Sequence, residues 1–376
     1  MKVYFDNAAT TPVHPDVIES MIQALRHQYG NPSSIHSHGR EVRNSIETAR
    51  KTIAKLLNCQ PGEIFFTSGG TEANNMALRC SIDQLKLTHA ITSPIEHHAV
   101  LHTLEDLEHA KKIKLSFVNI DSEGRVDVNH LEELLKTNER SFVSLMHANN
   151  EIGTLLPMQE VSEICKKYDA VFHSDTVQTI GHYTFDLQNL HLHFCNCAAH
   201  KFHGPKGVGF IYISNKIKIK PFITGGAQER NMRAGTENVY GIIGMARALE
   251  IAYENLEKDS TYIKGLKQYM KEELVKILPD VKFNGSTGTD SLYTVLNVSL
   301  PPNESGEMML FNLDIRGIAV SGGSACSSGS QVGSHVLRAL NTDGTRPAVR
   351  FSFSKFNTKE EIDFVIMQLK QLYKVN

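Results

Sequence analysis

The chain of 376 residues has no apolar stretch long enough to cross a bilayer, which excludes a helical membrane protein. Its opening, Met1-Lys2-Val3-Tyr4-Phe5-Asp6, lacks the apolar run of a secretory signal, so a cytoplasmic location is expected. Basic residues are not in excess: 39 Lys and Arg stand against 41 Asp and Glu, a formal net charge of −2. That balance argues against a general binder of nucleic-acid phosphates. Its six cysteines, at 59, 80, 165, 195, 197 and 326, follow no framework spacing and read as reduced thiols rather than disulfides. Neither the lysine of a P-loop nor a G-x-G-x-x-G accompanies the glycine pair at 69–70, so nucleotide binding is the weaker reading there. No internal repeat is visible, and apart from one Gly/Ser-rich loop there is no low-complexity tract. What remains, 41% hydrophobic and 21% charged, is ordinary for a globular enzyme of one or two domains.

The patterning places that enzyme in a fold class. Val17, Ile18, Met21, Ile22 and Leu25 keep a helical period that stops near Gly30, and a second helix runs through Val42, Ile46, Ala49, Ile53 and Leu57. Short apolar runs then alternate with helical patterns: Ile64–Thr67, Leu115–Ile120, Phe142–His147, Val171–Ser174 and Gly207–Ile213. Strands alternating with helices predict an α/β protein with a mostly parallel sheet. Ligands in such folds sit beyond the carboxyl ends of the strands. A long helix from about 239 to 256 leads out of this domain. Beyond it lie a helix, the apolar runs Val281–Asn284 and Tyr293–Leu300, and a last helix announced by the capping box Thr358-Lys359-Glu360-Glu361. Residues from about 258 onward read as a smaller α+β domain.

Two segments carry the chemistry. In Ala198-Ala199-His200-Lys201-Phe202-His203-Gly204-Pro205, a lysine is framed by small residues, histidine and a Gly-Pro turn, where a cofactor aldehyde could bond to its amine. Such a lysine needs partial desolvation or a nearby cation, for which His200 is the candidate. In Ser321-Gly322-Gly323-Ser324-Ala325-Cys326-Ser327-Ser328-Gly329, one thiol sits in a loop of little bulk, with four Gly and six Ser between Ser321 and Ser334. An amine that bonds an aldehyde and a thiol that can swing together predict a pyridoxal 5'-phosphate enzyme that passes sulfur through cysteine. That cofactor asks for a carboxylate at its ring nitrogen and a phosphate cradle besides the lysine. Asp175, after the run Val171–Ser174, is the best carboxylate. Gln178, three residues on, is placed to reach the phenolic oxygen. Thr67-Ser68-Gly69-Gly70-Thr71-Glu72-Ala73-Asn74-Asn75, at a strand-to-helix junction, is the cradle. Taken singly, each of these is more often a cap, a turn or a surface lysine. Their joint occurrence at strand ends reverses that judgement.

These residues resemble the cysteine desulfurase family of the NifS-like kind, within the class V aminotransferase group of fold-type I pyridoxal phosphate enzymes. Further marks are Tyr4–Pro12, Asn31-Pro32-Ser33-Ser34, Glu96-His97-His98-Ala99-Val100, His147–Gly153 and Arg233-Ala234-Gly235-Thr236-Glu237-Asn238. The resemblance implies that Lys201 holds the cofactor and later acts as general base, that His97 stacks on its ring, and that Gly70, Thr71 and His200 meet its phosphate. It places Asn150 near the substrate carboxylate and phenolic oxygen, and Arg350 as the carboxylate clamp. Thr236 would reach the phosphate of a neighbouring subunit, implying a homodimer with a shared site. The implied fold is a large α/β/α domain over 14–257 with a small domain over 1–13 and 258–376. The implied reaction turns L-cysteine into L-alanine and leaves a persulfide on Cys326 for an acceptor protein such as an iron–sulfur scaffold.

The chain departs from the family's usual pattern at Ala198, where a hydroxyl donor to the phosphate is normal, and at Phe353-Ser354 beside the clamp. A selenocysteine lyase of the same fold and a partner-binding protein without catalysis are the rival readings. A zinc site over His191, His193, Cys195 and Cys197 is set aside: along a strand rising about 3.3 Å per residue the outer pair is roughly 20 Å apart, too far for one ion with bonds of about 2.0–2.3 Å. A buried strand is expected there instead, and no metal.

Overall fold

In the computed structural model, which describes residues 1–303, 306–322 and 333–375, the short apolar runs pair into a seven-stranded sheet. Its strands lie in the order Ile64–Thr67, Gly209–Ile213, Phe194–Ala198, Val171–Ser174, Phe142–Ser144, His89–Thr92 and Lys114–Phe117. Gly209–Ile213 runs antiparallel to both neighbours, and the remaining pairs are parallel. Six of the seven strands, including edge strand Ile64–Thr67, are buried residue by residue and covered on both faces, whereas the other edge strand, Lys114–Phe117, is partly exposed. The run expected over 207–213 begins as a strand only at Gly209, and those expected to reach 120 and 147 end at Phe117 and Ser144. Strand His89–Thr92, too short and mixed to stand out in the sequence, completes the parallel set.

One face of the sheet packs against helices Pro15–His27, Ser37–Leu56 and Val239–Glu254 through a core including Val42, Ile53, Phe172, Cys195, Phe210 and Leu249. The other face packs against helices Gly70–Leu85 and His98–His109, with Met76, Val100, Phe142 and Phe194 between them. Phe194 and Cys195 thus belong to opposite cores, as the two-residue period of a strand requires.

A separate apolar cluster gathers Val3 and Phe5 with Leu266, Leu296, Phe351 and Val365. It lies on the antiparallel sheet Lys282–Asn284, Val295–Ser299 and Ala348–Ser352, covered by helices Leu256–Ile277 and Lys359–Tyr373. The Thr358–Glu361 capping box forms as the sequence predicts. Val3–Tyr4 pairs in parallel with Ile318–Ala319, and Ser352 N–H donates to Phe5 O at 2.7 Å. The following residues, Asp6–Thr11, lead from this cluster to the edge of the large sheet.

Candidate functional site

The parallel strands of the large sheet end at one edge, and all but edge strand Lys114–Phe117 are followed by a segment that the sequence singled out. These ends, with Ala8 and Ala9, surround a cavity lined among others by Gly70, Thr71, His97, Asn150, Asp175, Gln178, His200, Lys201 and Arg350. Of the predicted site residues, nine therefore meet in one place. Thr236 is not among them; it lines a second cavity with Ser68, Gly207, Arg233 and Glu237. Cys326 lies outside the described residues.

Lys201 closes a single turn of 3₁₀ helix, Ala199–Lys201, at the end of strand Phe194–Ala198. Its Nζ donates to the carbonyls of Ala8 at 2.6 Å and Ala9 at 2.9 Å. The N-terminal segment is locked there by Thr11, whose N–H and Oγ1 both donate to His200 O at 2.9 and 3.0 Å. The expectation that His200 supplies a cation beside Lys201 fails. Burial first, then the charges of Lys201 and Lys206, push its pKa down to about 4, so the ring is neutral at neutral pH. Burying an imidazolium without a carboxylate partner is what disfavours it.

His97 is the N-cap of helix His98–His109, and its Nδ1 accepts from Ala99 N–H at 3.1 Å. Burial also lowers its pKa. A neutral ring whose Nδ1 accepts carries its proton on Nε2. Helix Gly70–Leu85 begins at the cavity with Gly69 at φ 152°. A Cβ on Gly70 would lie 2.6 Å from Val177 Cγ2. The unsatisfied amides of its first turn are the anion-binding feature here. Ala198 also lines the cavity and offers only its methyl.

Asp175 follows strand Val171–Ser174 and is buried. Its Oδ2 accepts from Asn74 Nδ2 at 2.7 Å and its Oδ1 from Val177 N–H at 3.0 Å. Gln178 donates Nε2 to Ala8 O at 3.1 Å. Across the cavity, Arg350 is 1% exposed, with Nη2 on Asp6 Oδ1 at 2.8 Å and Nη1 on Asn150 O at 2.9 Å. Its Nε is buried and has no hydrogen-bond partner among the described residues, and the residue lines the cavity.

Asn74, Asn196, Asp6, Ala8 and Ala9 have roles that sequence reasoning did not assign. Asn196 was legible: an asparagine in the middle of a fully buried strand must find partners. Asp6 and the two alanine carbonyls were not, since they act across some 190 or 344 residues of chain. His191 and His193 precede the strand that holds Cys195 and Cys197, so the four do not share one strand. His193 Nδ1 accepts from Phe172 N–H at 3.1 Å, and His191 Nε2 lies 3.3 Å from Ala170 O.

The cavity's donor set fits pyridoxal phosphate: an amine for the aldehyde, a buried carboxylate for the ring nitrogen, a neutral ring for stacking and a helix N-terminus for the phosphate. Comparison with known proteins agrees. Residues 3–365 match the family model of the class-V aminotransferases. The chain is 44% identical over 375 residues to cysteine desulfurase IscS of Dictyoglomus turgidum, covering 99% of this chain and 94% of that one. It is 40% identical over 366 residues to putative cysteine desulfurase IscS 1 of Bacillus subtilis, covering 96% of each. Among solved structures, a NifS-like protein superposes with a TM-score of 0.91 at 40% identity, each chain fully covered. The chain therefore belongs to the pyridoxal-phosphate-dependent class-V aminotransferase family, in its NifS/IscS-like cysteine desulfurase branch.

Proposed function

We propose that the protein is a cysteine desulfurase: L-cysteine and the Cys326 thiol give L-alanine and a Cys326 persulfide. The atoms balance, since the sulfur leaves carbon for the enzyme's sulfur and the carbon takes a proton in its place. The observation that carries this reading is the single cavity holding Lys201, Asp175, His97 and Arg350 together. When bound, pyridoxal phosphate supplies an electron sink that labilises bonds at the substrate's α-carbon.

The chain's own residues do the rest. Arg350, which lines the cavity, receives the substrate carboxylate on its guanidinium and holds the amino acid in register with Lys201. Lys201 Nζ is the group that takes and returns the α-proton. Asp175 holds positive charge at the ring nitrogen. His97, neutral and with its Nε2 carrying the proton, covers the ring without adding charge. Gly70, Thr71 and His200 meet the phosphate, and Asn150 and Gln178 border the phenolic oxygen.

The other cysteines are poor rivals to Cys326. Cys59, Cys80, Cys165, Cys195 and Cys197 are buried. Burial raises Cys59 to about 12 and Cys80 to about 11 and pushes the other three up as well. Only a thiolate attacks sulfur. The position of Thr236 in a cavity away from Lys201 supports its reaching a neighbouring subunit's phosphate in a homodimer. The apolar clusters support a division into 14–257 and 1–13 with 258–376. No described helix is long and apolar enough to cross a membrane, and five described thiols are free, which supports a reducing cytoplasmic location. The persulfide passes to an acceptor protein of the iron–sulfur or thio-cofactor kind.

Purified protein with pyridoxal phosphate, L-cysteine and a thiol reductant should release sulfide and alanine in equal amounts. Cys326→Ala should retain the cofactor's spectral response to cysteine and release almost no sulfide. Pyruvate in place of alanine, or sulfide undiminished in the variant, would overturn the reading.

A further inference from the structure

Four buried residues beside the cavity form a line of hydrogen bonds whose direction cannot be reversed. The backbone N–H of Thr176 donates to Asn196 Oδ1 at 2.9 Å. A backbone N–H never accepts, so the other arm of this amide is its NH₂. That NH₂ donates to Asn74 Oδ1 at 2.8 Å and also reaches Gly70 O at 3.4 Å. Asn74 is then obliged to turn its own NH₂ toward Asp175 Oδ2, at 2.7 Å. Thr176 Oγ1 closes the far end by donating to Asn196 O at 2.6 Å. Asn74 and Asn196 are 1% and 0% exposed, so no water substitutes for a lost partner. The line crosses from strand Phe194–Ala198 to helix Gly70–Leu85 and back to the end of strand Val171–Ser174.

We propose that Asn196 and Asn74 are positioning residues that act through Asp175: an oriented amide relay that presents a donor to its carboxylate and fixes the direction in which that carboxylate faces the cavity. The inference rests on Asp175 meeting the cofactor's ring nitrogen. Asn74 Nδ2 holds one carboxylate oxygen and the Val177 amide the other, so both oxygens accept from fixed donors. Hydrogen bonds to a carboxylate are short and directional, so they fix its orientation. Reversing Asn74 alone sets oxygen against oxygen at Asp175 and NH₂ against NH₂ at Asn196, so the Thr176 N–H that fixes Asn196 fixes the whole relay. The same Asn196 NH₂ ties the relay to the first residue of the phosphate-cradle helix, Gly70, coupling ring and phosphate positions.

Asn196→Asp tests this because it leaves the acceptor for Thr176 N–H and removes the donor to Asn74. The reversed Asn74 then presents its oxygen to Asp175. Equilibrium titration of the apo protein with pyridoxal phosphate should show affinity falling about tenfold or more in Asn196→Asp and in Asn74→Ala. Deprotonation of the bound cofactor, followed through its visible absorption band, should shift about one unit toward lower pH. In the Asn74→Ala background, Asn196→Asp should add less than twofold, because the relay is already cut. Losses that multiply in the double variant, or an unmoved band, would show two separate packing roles and overturn the relay. Asn196→Ala serves the same cycle if the buried aspartate prevents folding, with the melting temperature of each apo protein recorded. Asp175→Asn separates the underlying reading: if it moves neither affinity nor band, Asp175 is not the ring-nitrogen partner. If it moves both while the amide variants do not, the relay alone is refuted.

Discussion

Asp175 and Arg350 are the two buried charges that face each other across the cavity, and they are held in opposite ways. Asp175 is surrounded by neutral donors, the amides of Asn74 and Val177. These satisfy its oxygens without cancelling its charge, so the full negative charge is available to a cation in the cavity. Arg350 is paired with Asp6, a carboxylate of opposite sign, and with a backbone carbonyl. Its charge is largely balanced within the protein, and what it offers the cavity is a guanidinium already held in place by two partners. A permanent guest needs a standing charge. A substrate that must enter and leave is better met by a donor whose field is already balanced.

The sharpest break of this contrast is Asp175→Ala. Loss of preorganised charge stabilisation typically costs about 100- to 1,000-fold in turnover, and turnover at saturating cofactor should fall by that much while the Michaelis constant for cysteine moves little. A change confined to the Michaelis constant would place Asp175 at the substrate instead. Arg350→Ala should do the reverse. A hydrogen bond to a charged group contributes roughly 1.5–3 kcal/mol, so the Michaelis constant should rise roughly 10- to 100-fold. Asp6, which is 19% exposed and so partly hydrated, would lose its partner, and apo-protein stability should fall by about 2–3 kcal/mol in a denaturant titration, below the value for fully buried pairs. Unchanged binding of cysteine would dismiss the clamp.

Acid should find the neutral side of the site. Burial holds His147, His173 and His200 near 4, against an ordinary value of 6.5, and also lowers His97. Below pH 6.5 the unfolded chain takes protons that these native rings refuse, so stability present above that pH is lost as the pH falls toward 4. A melting temperature that drops by several degrees per unit over this window is expected; a flat profile would mean that these rings protonate without cost in the native state. Smallest is Ala198→Ser, which restores a hydroxyl beside the phosphate position. It should tighten cofactor binding by about tenfold with turnover at saturation unchanged, since uniform binding does not raise kcat. Equal affinity in an equilibrium titration would show that Thr71, His200 or Thr236 already fills the role.

The parallel sheet, the helices on either side of it and the order of the chemical segments were legible from hydrophobic period and from polar residues following apolar runs. Ile64–Thr67 and Val171–Ser174 have the bounds read from the sequence. His89–Thr92 escaped notice because its histidine and threonine break the apolar run, although both are buried, His89 against Ser141 and Ser116. The antiparallel course of Gly209–Ile213 was equally hidden, since a strand's composition does not record the direction of its neighbours.

Residue type and local order determined by themselves which groups this protein can bring to a reaction: an amine after a strand, a carboxylate after a strand, a glycine pair opening a helix. They determined it because these features depend on a few adjacent residues whose conformational preferences are local. Only the tertiary structure decided the charge state and aim of those groups. That His200 is neutral, that Lys201 rests on Ala8 and Ala9, that Asp6 balances Arg350 and that Asn196 orients Asn74 toward Asp175 all depend on burial and on partners far away in the chain. Desolvation and hydrogen-bond direction are properties of the packed surroundings, and no local stretch of sequence contains them.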